Sequence, residues 1–179
     1  FSKQILQALA YLHHYKIAHR DVKPDNCLLQ TPGKTTLKLA DFGLATKFQK
    51  GVLMKDPVGS IQFMAPETGS GGYDERCDVW GAGAVAYTLA LDKHVFSNPR
   101  GLHMLADQEE VAKWEDELFT IMLQEEVDFK DGTWSMHDRE LKQLVQLMLV
   151  KDWDQRMRAR DILSQNSWLK QFDDSNAAC

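Results

Sequence analysis

HRDVKPDN, residues 19–26, and DFG, residues 41–43, put two acidic side chains, Asp21 and Asp41, at the outer ends of a pair of short apolar runs. Cys27-Leu28-Leu29 and Leu37-Lys38-Leu39-Ala40 read as strands, and Pro32-Gly33 between them predicts the turn of a small hairpin. Asp21 and Asn26 precede the first strand, and Asp41 follows the second. A hairpin brings its own ends together. The pattern therefore gives a local reason for a base and two hard oxygen donors to converge, as a site for Mg²⁺ and a phosphate requires.

Outward from this hairpin the chain reads as mostly helical. Residues 2–12 place Ile5, Leu6, Leu9 and Leu12 on one face, and His13-His14-Tyr15-Lys16 form a polar exit whose two histidines are expected to be solvated. Residues 44–63 hold Gly51, Pro57 and Gly59 with little periodicity and read as a long exposed loop, and Gly69-Ser70-Gly71-Gly72 is a second break. From Asp74 to about Leu91 the pattern is apolar nearly all round, as in a helix running through a core. Further helices are predicted near 109–125, 138–150 and 157–164, separated by Asp131-Gly132 and Lys151-Asp152, with a short one at Trp168–Phe172. The expected class is mainly α with a small β-hairpin (α+β), in one domain over residues 1–179 with no internal repeat.

At 179 residues, 44% hydrophobic and 26% charged, the chain can bury a sizeable core. Its net charge of −5 argues against a nucleic-acid partner, which needs a basic surface, and favours a cationic one. Cys27, Cys77 and Cys179 are odd in number, widely spaced and without a CxxC, so neither a disulfide framework nor a zinc site is expected and an intracellular, cytoplasmic setting is favoured. No apolar run is long enough to span a membrane. Phe1 is not an initiator Met and residues 2–12 read as a helix already under way, so a fragment of a longer chain is expected.

HRDVKPDN, DFGLA (41–45), MAPE (64–67) and DVWGAG (78–83) occur in that order, and together they resemble the C-terminal lobe of a eukaryotic-type protein kinase. The resemblance covers essentially the whole chain. It implies a protein-kinase-like fold, ATP and Mg²⁺ as cofactors, and transfer of the γ-phosphate to a protein Ser or Thr hydroxyl; a Lys at position 23 is the Ser/Thr form of the motif. By that resemblance Asp21 is the catalytic base, Lys23 contacts the γ-phosphate, and Asn26 and Asp41 hold the metal. His19 and Phe42 are packing residues of the active conformation, and Gly43 is a hinge. Glu67 and Arg156 form the ion pair that fastens the end of the activation segment. Asp78 bonds the catalytic-loop backbone, and Ser60 lies near Asp21 and Lys23. Asp56 stands where many such enzymes carry a phospho-threonine, and its carboxylate is expected to pair with Arg20 and make phosphorylation unnecessary.

YDERCDVWGAG (73–83), LMKDPVGSIQFMAPE (53–67) and RMRARDILSQNSWL (156–169) look most like the calcium/calmodulin-dependent and calcium-dependent branch. No D-x-D-x-D-G calcium loop is present, so a calcium-sensing regulatory segment is expected only outside this chain. Residues 97–117 are longer and more acidic than the usual connection and read as a surface insertion or a docking site. Thr88 stands where some basophilic kinases have Glu, while Asp25 keeps one carboxylate for a substrate basic around its target residue. The glycine-rich loop, the strand lysine and its partner Glu are missing with the N-terminal lobe, so this polypeptide alone is expected to be inactive. The alternative function is a noncatalytic, pseudokinase-like or truncated lobe serving as a protein-interaction module. A small-molecule kinase fits less well with a full activation segment ending in MAPE.

Overall fold

The computed structural model describes residues 1–30, 36–100, 107–130, 132–136 and 139–172, the side chains of 135 and 136 excepted. Its elements are α1 (Ser2–His14), β1 (Ile17–Ala18), β2 (Cys27–Leu29), β3 (Leu37–Leu39), β4 (Thr46–Lys47), α2 (Arg76–Leu91), α3 (Gln108–Gln124), α4 (Arg139–Met148), α5 (Ala159–Gln165) and α6 (Ser167–Lys170). Short 3₁₀ turns lie at Pro24–Asn26, Ile61–Phe63, Pro66–Gly69 and Gly132–Met136. The fold is mainly helical with small antiparallel strand pairs, as its sequence predicts.

α2 is the centre. Val79, Trp80, Ala82, Ala84, Val85, Ala86 and Tyr87 are all buried, which accounts for the absence of a polar face in its sequence. α1 packs on α2 and α5 through Ile5, Leu6 and Leu9, and α4 closes the other side through Leu144, Val145 and Met148. Glycine is required where backbone meets backbone. A Cβ at Gly81 would stand 2.9 Å from the Val22 Cβ and 3.0 Å from the Val22 carbonyl oxygen, so the absence of a side chain lets the loop carrying Asp21 lie directly on α2. Gly81→Ala is expected to destabilise the protein by about 1–3 kcal/mol through overpacking. Its urea midpoint should fall, and activity should fall with it because Val22 adjoins Asp21.

β2 and β3 pair in the register Cys27↔Leu39 and Leu29↔Leu37, giving the expected hairpin; its Pro32-Gly33 turn lies outside the described residues. Residues 44–63 are not wholly loop. Thr46–Lys47 pairs with β1, Met54 bridges to Tyr73, and Ile61–Phe63 is a helical turn. The acidic 97–117 stretch is in part a helix start. Asp107 Oδ1 accepts the Glu109 and Glu110 N–H groups at 3.0 and 2.9 Å, and Glu110 reaches back to the Asp107 N–H, a capping box that opens α3. Acids there also complement the helix dipole. Cys27 and Cys77 are free thiols, and burial raises the first to a pKa of about 11 and the second well above its usual range. Cys179 and the rest of 173–179 lie outside the described residues. No helix among the described residues is long and apolar enough to cross a membrane.

Candidate active site

The loop from Ala18 to Asn26 is anchored from below by one carboxylate. Asp78, buried on the first turn of α2, accepts the His19 N–H at 2.8 Å and the Arg20 N–H at 2.7 Å. His13 Nε2 completes the set at 2.8 Å from Asp78 Oδ2. Burial raises the Asp78 pKa, but the His13 contact and the two backbone N–H groups outweigh it and hold the carboxyl below its usual range. His13 is thus no solvated helix-end group; only His14 is exposed. β1 pairing with β4 draws the chain after DFG alongside the chain entering HRD.

His19 links the two motifs. Its Nε2 lies 3.0 Å from the Ala40 carbonyl, which can only accept, so Nε2 carries the proton and Nδ1 accepts the Asp21 N–H at 3.3 Å. The Phe42 ring packs 5.2 Å from His19 and is 50% exposed. The Ala40 N–H donates to the Asn26 carbonyl at 2.8 Å, which sets Asp41 beside Asn26. Asp41 is exposed at φ 60° and accepts the Gly43 N–H on Oδ1 at 3.0 Å.

Asp21 is 8% exposed and both of its carboxylate oxygens are bonded. Oδ1 accepts the Ser60 N–H at 3.0 Å and Ser60 Oγ–H at 2.9 Å, while Oδ2 accepts Lys23 Nζ at 2.9 Å and Asn26 Nδ2 at 3.1 Å. Lys23 Nζ also donates to Ser60 Oγ at 2.8 Å. Burial raises the Asp21 pKa, yet the hydrogen bonds from Lys23 and Ser60 and the Lys23 charge bring it below the ordinary carboxylate range. Gly59 makes the Ser60 approach possible: its φ is +121°, and a Cβ there would be 2.5 Å from the Arg20 carbonyl oxygen.

Asn26 spends its amide nitrogen on Asp21, on the carbonyl at 2.8 Å and on Oδ2, which leaves its amide oxygen as a donor to a cation. Asp41 adds a carboxylate, and amide and carboxylate oxygens are the hard donors that Mg²⁺ takes along with phosphate oxygens and water. Among the described residues no cluster of three or more His, Cys, Asp or Glu could hold a metal without such help.

The Arg20–Asp56 ion pair is long, 3.7 Å, and the Asp56 side chain is 82% exposed. The firmer tether runs through Tyr73: Arg20 Nη1 donates to its hydroxyl at 3.3 Å, and that hydroxyl donates to the Asp56 carbonyl at 2.6 Å. Glu67 and Arg156 form a buried bidentate pair at 2.6 and 3.0 Å.

A protein kinase domain model matches residues 1–169. The chain belongs to the protein kinase domain family. This kinase-domain chain is 34% identical over 170 residues to calcium-dependent protein kinase 4 of Plasmodium falciparum (isolate 3D7), covering 94% of this chain and 29% of that protein. It is 31% identical over 172 residues to the serine/threonine-protein kinase PEPKR2 of Arabidopsis thaliana, covering 96% and 33% respectively. With calcium-dependent protein kinase 2 of Zea mays it shares 31% identity over 170 residues, covering 94% and 30%. The kinase-domain chain thus spans about a third of the length of these relatives. The sequence pattern put His13 in solvent and gave Tyr73 no role, and it did not foresee that Thr88 Oγ1 and His94 Nδ1 are buried without a hydrogen-bond partner.

Proposed function

We propose that this chain is the substrate-binding, C-terminal lobe of a Ser/Thr protein kinase that passes the γ-phosphoryl of ATP to a protein hydroxyl, with Asp21 as the base. The observation that carries this reading is the Asp21 carboxylate, ionised and aimed by Ser60, Lys23 and Asn26. A scaffold has no use for such a constellation, which weighs against the noncatalytic interaction module. Bound Mg-ATP would supply the phosphoryl group and neutralise part of its charge, with Asn26 and Asp41 holding the metal.

Asp21 already accepts four hydrogen bonds, about the full capacity of a carboxylate. A substrate hydroxyl can be received only when a donor leaves, and Lys23 is the donor with a better destination, the anionic phosphate. With a phosphate bound, departure of Lys23 would free one of the two acceptor positions on Oδ2, the other being held by Asn26 Nδ2, and would remove part of what lowers the Asp21 pKa, so the base would strengthen as substrate arrives. Lys23→Met should therefore lower kcat and move the acid limb of the kcat/KM profile to higher pH. An unmoved limb would show that Lys23 does not tune this carboxylate.

Leu28, Leu29, Phe42 and Leu44 expose apolar surface around the hairpin and DFG, which supports a second lobe from outside this chain as the other wall of the nucleotide site. This lobe alone should then be inactive. Residues 47–59 contain no Ser, Thr or Tyr, and the Arg20–Tyr73–Asp56 tether holds that segment without a phosphate. The exposed Asp56 carboxylate is screened and adds little. Tyr73→Phe should accordingly cost more activity than Asp56→Ala, compared as kcat/KM in the full-length protein; the reverse order would restore the carboxylate to the leading role. Asp25 favours a substrate with basic residues near the target hydroxyl, and the relatives' names suggest calcium control through a segment outside this chain. Phosphate transfer from labelled ATP to a basic Ser peptide by the full-length protein, with calcium and with chelator, tests both. No transfer under either condition would favour the interaction module.

A further inference from the structure

Away from Asp21, a groove of about 680 Å³ runs between the C-terminal end of α1, residues 48–53, the approach to α2, and residues 153–160. Its size is that of a ligand site, roughly 300–1,000 Å³. Its charge is opposite to that of the chain. The sequence carries a net −5, yet this groove is lined by five Lys and Arg against three carboxylates. Those three are already engaged: Arg76 binds Asp74 at 2.9 Å and Asp154 at 3.4 Å, and Arg158 binds Glu75 at 2.9 Å. Arg160, the fifth cation, is held by Asp161 at 3.2 Å, so the cationic surplus falls on the wall formed by Lys16 and Lys50. Lys16 Nζ lies 5.9 Å over the Phe48 ring, and neither lysine has a carboxylate partner among the described residues. The same groove presents apolar surface, with Val52 57% and Leu53 40% exposed and Trp153 half-buried.

We propose that this groove docks an acidic linear segment of a protein partner, anchored by one large apolar side chain. The carboxylates meet Lys16 and Lys50, and the anchor lies against Val52, Leu53 and Trp153. Both halves of the recognition are needed. Charge alone on an exposed wall steers encounter but holds little, whereas a desolvated anchor slows release. A concave site suits an extended peptide rather than a flat lipid surface.

The test is selection of a displayed library of random twelve-residue peptides on the full-length protein. Enriched peptides should be acidic with an aromatic or large aliphatic residue, and their synthetic, fluorescein-labelled forms should bind at least tenfold more weakly to Lys16→Glu/Lys50→Glu. Lys50→Glu alone, on the exposed loop, gives the same direction if the double variant is unstable. Val52→Ser/Leu53→Ser should weaken binding as well. Failure to enrich any peptide, enrichment of basic peptides, or binding indifferent to both lysines overturns the proposal. So does lysine-dependent sedimentation with phosphatidylserine vesicles in the absence of peptide binding.

Discussion

Asp21→Asn in the full-length protein is expected to lower kcat by about 10²–10⁴-fold, the range for loss of a positioned general base. The substitution is nearly isosteric, but an amide cannot take the hydroxyl proton. Its NH₂ group must also face one of two donor sets: Ser60 N–H and Oγ–H on one side, Lys23 Nζ and Asn26 Nδ2 on the other. KM for ATP should change little, because Asp21 is not one of the two groups assigned to the metal. Steady-state kinetics on a peptide substrate separates these terms. A variant phosphorylating at the parental rate would remove Asp21 from the role of base.

The pH dependence follows from the same contacts. The folded Asp21 pKa is depressed, so the stability its ionised form contributes is fully present above the ordinary carboxylate range and is lost as pH falls through the depressed value. Asp78 behaves likewise, since His13 and two backbone N–H groups favour its charged form. Protonation of either carboxyl should therefore not limit the resting protein near neutral pH. Acid unfolding should instead draw on both groups at once, because one sits under the other's loop.

Much of this was legible because it is local. Asp21, Asn26 and Asp41 flank one hairpin, and β2–β3 pairing joins the strands they border, although the Asp21 loop is also anchored by Asp78 and Ser60 from far along the chain. α2 announced itself by the lack of any polar face. The pairing of β1 with β4 did not, since two residues per strand are too few for an alternation to register. His13 binds Asp78 from 65 positions away, and nothing near either residue marks the other. The Tyr73 tether to Asp56 is hidden for the same reason. The Asp107–Glu110 capping box, by contrast, is written in the sequence as D-x-x-E and was concealed only by the acidic run around it. The basic groove is assembled from four separated segments in an acidic chain, so composition pointed away from it.

Arg156→Met should produce the largest loss of stability. The guanidinium is 1% exposed and bound to Glu67 through both nitrogens. It also donates to the Val150 and Arg76 carbonyls at 2.8 and 3.1 Å and lies 5.0 Å over the Trp80 ring. Removing one partner of a buried pair strands the other charge, which costs about 3–5 kcal/mol. For a chain of this length that corresponds to a Tm lower by roughly 6–20 °C. The double variant Arg156→Met/Glu67→Gln removes the stranded charge and should lose less than the single one, a coupling that urea unfolding can measure. Equal losses would mean that the packing of Arg156 on Trp80, not its charge, holds this region. Glu67 closes the segment that begins at Ser60, so loosening it should also free Ser60 from Asp21. Activity of the single variant should therefore decline at temperatures well below its unfolding midpoint.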